Sequence, residues 1–144
     1  MTIGRRTVAL VSCVSAKQSR AAPAGELYTS ALFTKARAYA RRYASAWFVL
    51  SAKHGVLDPS TVIEPYDKTL NNMSVAERRD WAAMVTRQLD SVLRPGDTAL
   101  FLAGARYREG LEPALRAKGV RVEVPMLGMR IGEQLSWLTR QGSR

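Results

Sequence analysis

Thr7-Val8-Ala9-Leu10-Val11-Ser12-Cys13 is an apolar run that ends in two small polar residues. At this length, with β-branched residues inside it, it reads as a buried strand. Ala46–Leu50 (AWFVL) and Thr98–Ala103 (TALFLA) repeat the pattern, and Val120–Val124 alternates as a fourth strand. The segments between them carry helical signals. Ser30 can cap a helix running to Tyr43, with Phe33, Ala36, Ala40 and Tyr43 as its apolar stripe. Ser74 with Glu77 three residues on forms a capping box for a helix to about Leu93. Arg94–Asp97 reads as a turn, Arg106–Lys118 as a helix stopped by Gly119, and Arg130–Arg140 as a last helix. Val14–Tyr28 and Val56–Asn72 read as long irregular segments, the kind that often carries function. Strands alternating with helices predict one α/β domain over residues 1–144. Its architecture would be three-layered, α/β/α, around a mainly parallel central sheet.

Composition narrows the function classes. The 144 residues are 47% hydrophobic and 24% charged, which suits a chain that buries a core. Twenty-two Lys and Arg face twelve Asp and Glu, a formal charge of +10. Such an excess on a small domain points to a polyanionic partner, nucleic acid first, although a generally basic composition gives the same number. The excess is uneven: residues 1–50 carry +7, residues 51–100 carry −1 and residues 101–144 carry +4. One cysteine excludes an internal disulfide framework, and one cysteine with one histidine excludes the usual zinc sites. No metal and no cofactor are therefore expected. No apolar run is long enough to span a membrane, and no signal peptide follows Arg5 and Arg6, so a cytoplasmic protein without a membrane partner is expected.

In a parallel α/β sheet, ligands bind beyond the carboxyl ends of the strands. That rule gathers residues far apart in sequence: Ser12 and Cys13, Lys53 and His54, Gly104 with Arg106 and Tyr107, and Met126–Arg130. Ser51-Ala52-Lys53-His54-Gly55 places a cation and the only histidine where a strand opens. Lys53 would bind an anion or attack a sugar carbon and His54 would move a proton; a solvated lysine and a turn-capping histidine are equally compatible. In Glu64-Pro65-Tyr66-Asp67 a carboxylate could orient water or support an oxocarbenium ion, and Tyr66 could stack on a base, while an Asx-type turn would explain Asp67 without chemistry. Asn71 and Asn72 match base-edge donors and acceptors, or end the turn before a helix. Cys13 is a nucleophile or, more simply, a small core residue. Tyr28, Ser30, Ser51, Glu64 and Glu133 complete the candidate base-binding set. Lys17, Arg20, Arg106, Tyr107, Arg108 and Arg130 are candidate phosphate contacts.

Taken together, Leu27-Tyr28-Thr29-Ser30 with Leu32-Phe33, Leu50–Gly55 with Leu57-Asp58-Pro59, Glu64–Asp67 with Thr69-Leu70, and Arg130–Leu135 resemble a family of small bacterial and phage-associated proteins. The resemblance covers nearly the whole chain. That family is distantly similar to the uracil-DNA glycosylase superfamily and to anti-phage glycosylases that excise glucosylated hydroxymethylcytosine. The resemblance implies a glycosylase-like fold and excision of a modified base from double-stranded phage DNA; Asp67, His54 and Lys53, clustered beside one expected sheet edge, are the catalytic residues expected for it. The sequence departs from the superfamily in lacking its water-activating motif, which Glu64–Asp67 only partly matches. The stretch from Ser12 through Lys17 to Ser30 also resembles the lysine-bearing domain of archaeosine synthase. Base modification on tRNA, nucleotide processing and a non-catalytic nucleic-acid-binding module stand as alternatives. Oligomeric state is not readable.

Overall fold

The computed structural model describes residues 6–12 and 17–142. In chain order the elements are β1 (Thr7–Ser12), β2 (Ala22–Pro23), α1 (Ala24–Leu27), α2 (Ala31–Tyr43), β3 (Ala46–Ser51), β4 (Gly55–Leu57) and β5 (Val62–Ile63). A 3-10 turn at Leu70–Asn72 precedes α3 (Val75–Leu89), β6 (Thr98–Leu102), α4 (Ala105–Arg108), α5 (Glu112–Ala117), β7 (Arg121–Glu123) and α6 (Ile131–Gly142). Five strands form the main sheet in the order β4-β3-β1-β6-β7, all parallel except β4, which folds back on β3. The expected α/β architecture with a mainly parallel sheet is what the chain adopts.

The central strand explains the layering. Val8, Ala9, Leu10 and Val11 are fully buried. Successive side chains of a strand point to opposite faces. Val8 and Leu10 accordingly join a core with Trp81, Val85 and Leu89 of α3, Tyr107 of α4 and Leu115 of α5. Ala9 and Val11 join a second core with Phe33, Ala36 and Ala40 of α2 and Leu138 of α6. A run apolar at every position, rather than every second one, is the signature of a strand covered on both sides.

Four boundaries differ from the sequence expectation. The helix expected over Arg106–Lys118 is two, α4 and α5, separated at Glu109–Leu111. Pro113 near the start of α5 has no N–H to continue a helix from α4. At Gly110 a Cβ would lie 2.6 Å from Ala82 of α3, so the chain there must pass close to its neighbour. The helix expected to reach about Leu93 ends at Leu89, and Val92 and Leu93 close it with turn hydrogen bonds to Leu89. The segment from Val56, expected irregular, begins inside β4. The turn into it uses Gly55 at φ +76°, a conformation side-chain-bearing residues rarely adopt. The long loop after β1 holds β2 and α1, and β2 pairs antiparallel with β5.

Among the described residues no helix is long and apolar enough to cross a membrane.

Candidate active site

β1 leads toward α2 on one face of the sheet, and β6 leads into α4 on the other. Where adjacent strands send their chains to opposite faces, a crevice opens at their carboxyl ends. A cleft of about 720 Å³ lies there, lined by Ser12 at the end of β1, by Leu102–Arg106 at the end of β6, and by Phe33 and Ala36 of α2. That volume falls in the range of small-ligand pockets.

The polar wall comes from the segment before α3. Leu70 is fully buried in the α3-side core and pins the chain there. Thr69 Oγ1 accepts from the Asn71 amide at 3.3 Å and shapes the 3-10 turn. Anchored in this way, Asp67, Lys68, Asn71 and Asn72 are exposed and line the cleft. Asp67 makes no hydrogen bond or ion pair among the described residues. Asn72 is followed by Ser74, whose capping box with Glu77 fixes where α3 begins.

A network of hydroxyls stands beside the cleft. Ser51, fully buried at the end of β3, has its Oγ bonded by the amides of Lys53 at 3.2 Å and His54 at 3.0 Å. With both lone pairs used, that hydroxyl donates to Tyr66 Oη at 2.8 Å. Tyr66 Oη and Tyr28 Oη lie 2.6 Å apart. Lys17 Nζ sits 4.8 Å from the centre of the Tyr66 ring and 5.8 Å from that of Tyr28, and Lys17 also lines the cleft. The His54 ring meets Tyr66 edge-on at 5.7 Å. Trp81 Nε1 donates to the Ser51 carbonyl at 2.9 Å, while Gln88 bridges the Val56 amide and the His54 carbonyl. Two α3 side chains therefore hold the hairpin that holds Tyr66, and Tyr66 immediately precedes Asp67.

Burial, with help from the neighbouring Lys53 charge, lowers the His54 pKa and so favours its neutral imidazole. A neutral ring can accept or donate one hydrogen bond at each nitrogen.

The structure gathers some of the sequence-selected residues and disperses others. Ser12, Lys17, Asp67, Asn72, Arg106 and Tyr107 share the cleft. Tyr28, Ser51, His54 and Tyr66 share the network. Lys53 is exposed on the hairpin turn and does not line the cleft. Ser30 accepts from the Phe33 amide as the cap of α2, and Glu133 accepts from the Arg130 amide at the start of α6. Arg108 is half-buried, bonded to the Ala103 carbonyl and paired with Glu112 at 2.7 Å. Glu64, Arg20 and Arg130 are exposed and outside the cleft. Cys13 lies outside the described residues. Lys68, Thr69 and the supports Trp81 and Gln88 were not singled out from sequence. Thr69 two residues before Asn71 is a local turn signal that would have found the first pair. The role of Trp81 and Gln88 depends on which hairpin α3 packs against.

Among the described residues no three His, Cys, Asp or Glu side chains gather as a metal site would require. Residues 8–140 match the model of a family described as of unknown function, DUF6884. No curated protein and no solved structure matches the chain.

Proposed function

The chain belongs to DUF6884, a family of unknown function, and from its own site we propose that it is a DNA glycosylase that excises a modified base. The target nucleotide leaves the base stack, enters the cleft and loses its base by hydrolysis of the N-glycosidic bond. The observation that carries this reading is the convergence of Asp67, Asn71 and Asn72 on one 720 Å³ cleft that also presents Lys17 and Arg106, in a chain of charge +10.

Each group has a task its chemistry suits. The carboxylate of Asp67 stabilises the positive charge that develops on the sugar and orients the water that attacks C1′. The C1′–N bond breaks, its electron pair leaves with the base, and the water proton passes to Asp67. Asn71 and Asn72 offer an amide donor and acceptor each to a base edge. Lys17 and Arg106 hold the flanking phosphates, with an affinity that falls as salt rises. Tyr66 and the neutral His54 hold the loop that displays Asp67. They act through its position, a change from the direct roles that sequence spacing suggested for His54 and Lys53. Anti-phage defence, with glucosylated hydroxymethylcytosine as the target, follows from the resemblance of the sequence motifs.

A second reading has its own support. Lys17 lies within reach of both the cleft and the two tyrosines, where a lysine nucleophile of a tRNA base-modifying enzyme would need to stand. Incubation with DNA carrying glucosylated hydroxymethylcytosine, both as a full duplex and with a single-stranded flank, and with tRNA at the same salt, separates the two. The glycosylase reading expects alkali-sensitive sites in the DNA and free base in solution. Intact DNA with several modified substrates, or a borohydride-trapped Lys17 adduct on tRNA, would overturn it.

A further inference from the structure

The helices α2 and α6 pack against each other, and the seam between them carries two depressions. At their N-terminal ends Phe33, Ala36, Ile131 and Gln134 line the cleft already described. Running from Lys35 toward their C-terminal ends, a separate groove of about 320 Å³ is lined by Lys35, Tyr39, Arg42, Tyr43, Leu138 and Thr139, among others. Nothing in the proposed reaction uses this second groove.

Its chemistry is that of a strand-binding surface. Tyr39 and Tyr43 have ring centres 4.6 Å apart, and Trp137 stands 5.1 Å from Tyr39. Tyr43 is 43% exposed, so part of this aromatic pair is accessible from solvent. The Arg42 guanidinium lies 5.5 Å from the Tyr43 ring centre. Both side chains also reach the end of α6, Arg42 to the Gly142 carbonyl and Tyr43 to that of Gln141, each at 3.5 Å. α2 carries Lys35, Arg37, Arg41 and Arg42 and no acidic residue. The acid whose field reaches Tyr39 is Glu123.

We infer that this groove is a second nucleic-acid subsite, which stacks an unpaired base on Tyr43 and binds adjacent phosphates through Lys35 and Arg42. The inference rests on the nucleic-acid reading of the cleft and makes its substrate class narrower: a strand that is single-stranded on the side running along α2. Cations beside open aromatic rings are the recognition elements of single-strand binders, because every base has a π-face and every nucleotide a phosphate. A base inside a duplex has both faces covered by its neighbours and offers none to Tyr43. The spacing also fits. From Phe33 to Tyr43 the helix rises about 15 Å, roughly four nucleotides of a stacked strand at ~3.4 Å each. One strand can therefore place one nucleotide in the cleft and another about four positions along it in the groove.

Fluorescence anisotropy with labelled single-stranded DNA of three and twelve nucleotides, and with a twelve-pair blunt duplex, tests this at fixed salt. The wild-type chain is expected to bind the twelve-mer more tightly than the trimer. Tyr43→Ala should weaken the twelve-mer about tenfold and leave the trimer unchanged, while Tyr43→Phe should retain wild-type affinity for both. Arg42→Gln should lower the salt slope on the twelve-mer by about one contact, ~0.7. Equal weakening of trimer and twelve-mer, or no weakening of either, overturns the subsite, as does duplex affinity above that of the twelve-mer with Tyr43→Ala indifferent. Excision by a protein whose binding ignores Tyr43 sinks this inference alone. Length-dependent binding through Tyr43 without excision sinks the glycosylase reading alone.

Discussion

Two aspartates at opposite edges of the same sheet have opposite surroundings. Asp97 precedes β6 at the amino edge and is buried. Its carboxylate accepts from the amides of Arg6 and Arg94, and the Arg6 guanidinium pairs with it at 3.1 Å. Asp67 stands at the carboxyl edge, exposed on the cleft wall and without a partner among the described residues. One carboxylate has its hydrogen-bonding capacity committed to joining β1 to β6. The other keeps its capacity for something that arrives. A buried charge must be paired to be tolerated, whereas an exposed one costs little to leave open. The edge of the sheet that closes the fold and the edge proposed as the site are thus separable by mutation.

The largest expected effect breaks that symmetry from the cleft side. Asp67→Asn should lower excision by roughly 10²- to 10⁴-fold, the range of a lost acid–base group. Its melting free energy should stay within about 0.5 kcal/mol of wild type, as for an exposed site. An activity loss matched by a stability loss would place Asp67 among the structural residues. Asp97→Ala should do the reverse, costing about 1–3 kcal/mol by removing the charged acceptor of the Arg6 and Arg94 donors, with excision per folded molecule unchanged. Chemical denaturation together with activity at low temperature reads both.

The acid side of the stability curve sharpens the contrast. Burial opposes the charge of Asp97, but the hydrogen bonds from Arg94 and Arg6 and the Arg6 charge outweigh it and hold its pKa below the usual carboxylate value. A depressed folded-state pKa contributes stability that is full above the unfolded-state value, near ~3.9, and is lost as pH falls through the folded value. The gap in stability between wild type and Asp97→Asn should therefore narrow as melts are taken from pH 7 toward pH 3. A gap that widens in acid would contradict the Arg6–Asp97 pairing.

A smaller effect is expected in the hydroxyl network. Tyr66→Phe removes the acceptor of Ser51 and the partner of Tyr28, and should cost about 1 kcal/mol in stability with a drop in kcat rather than in binding. The smallest concerns His54. Lys53→Gln removes the charge that assists burial in lowering its pKa, so the imidazole titration, followed by NMR, should move up toward the ordinary histidine value. No movement would mean that burial alone sets it.

The fold was legible where segments were long and strongly patterned. β1, β3 and β6 announced themselves as apolar runs, and α2 and α3 through Ser30 and the Ser74–Glu77 capping box. β2 and β5, two residues each, carry no periodicity to detect. The break between α4 and α5 lay in Gly110 and Pro113, whose effect depends on the close approach of Ala82. For the site, the rule of the strand ends brought Ser12, Arg106 and Tyr107 to the cleft. It misdirected Lys53, because β3 turns back at once into β4 rather than opening into the crevice. Arg108, Ser30 and Glu133 carried suitable chemistry but bond to their own backbone neighbourhoods, and a sequence alone does not show which polar groups are already occupied.

The most direct test of the cleft as a reaction centre is single-turnover release of free base from one modified-DNA oligonucleotide by wild type and Asp67→Asn, with affinity measured on the same oligonucleotide. Release by the wild type, lost by at least about 10²-fold in the variant at unchanged affinity, is the expected result. Release that survives the substitution, or affinity and release falling together, would contradict it.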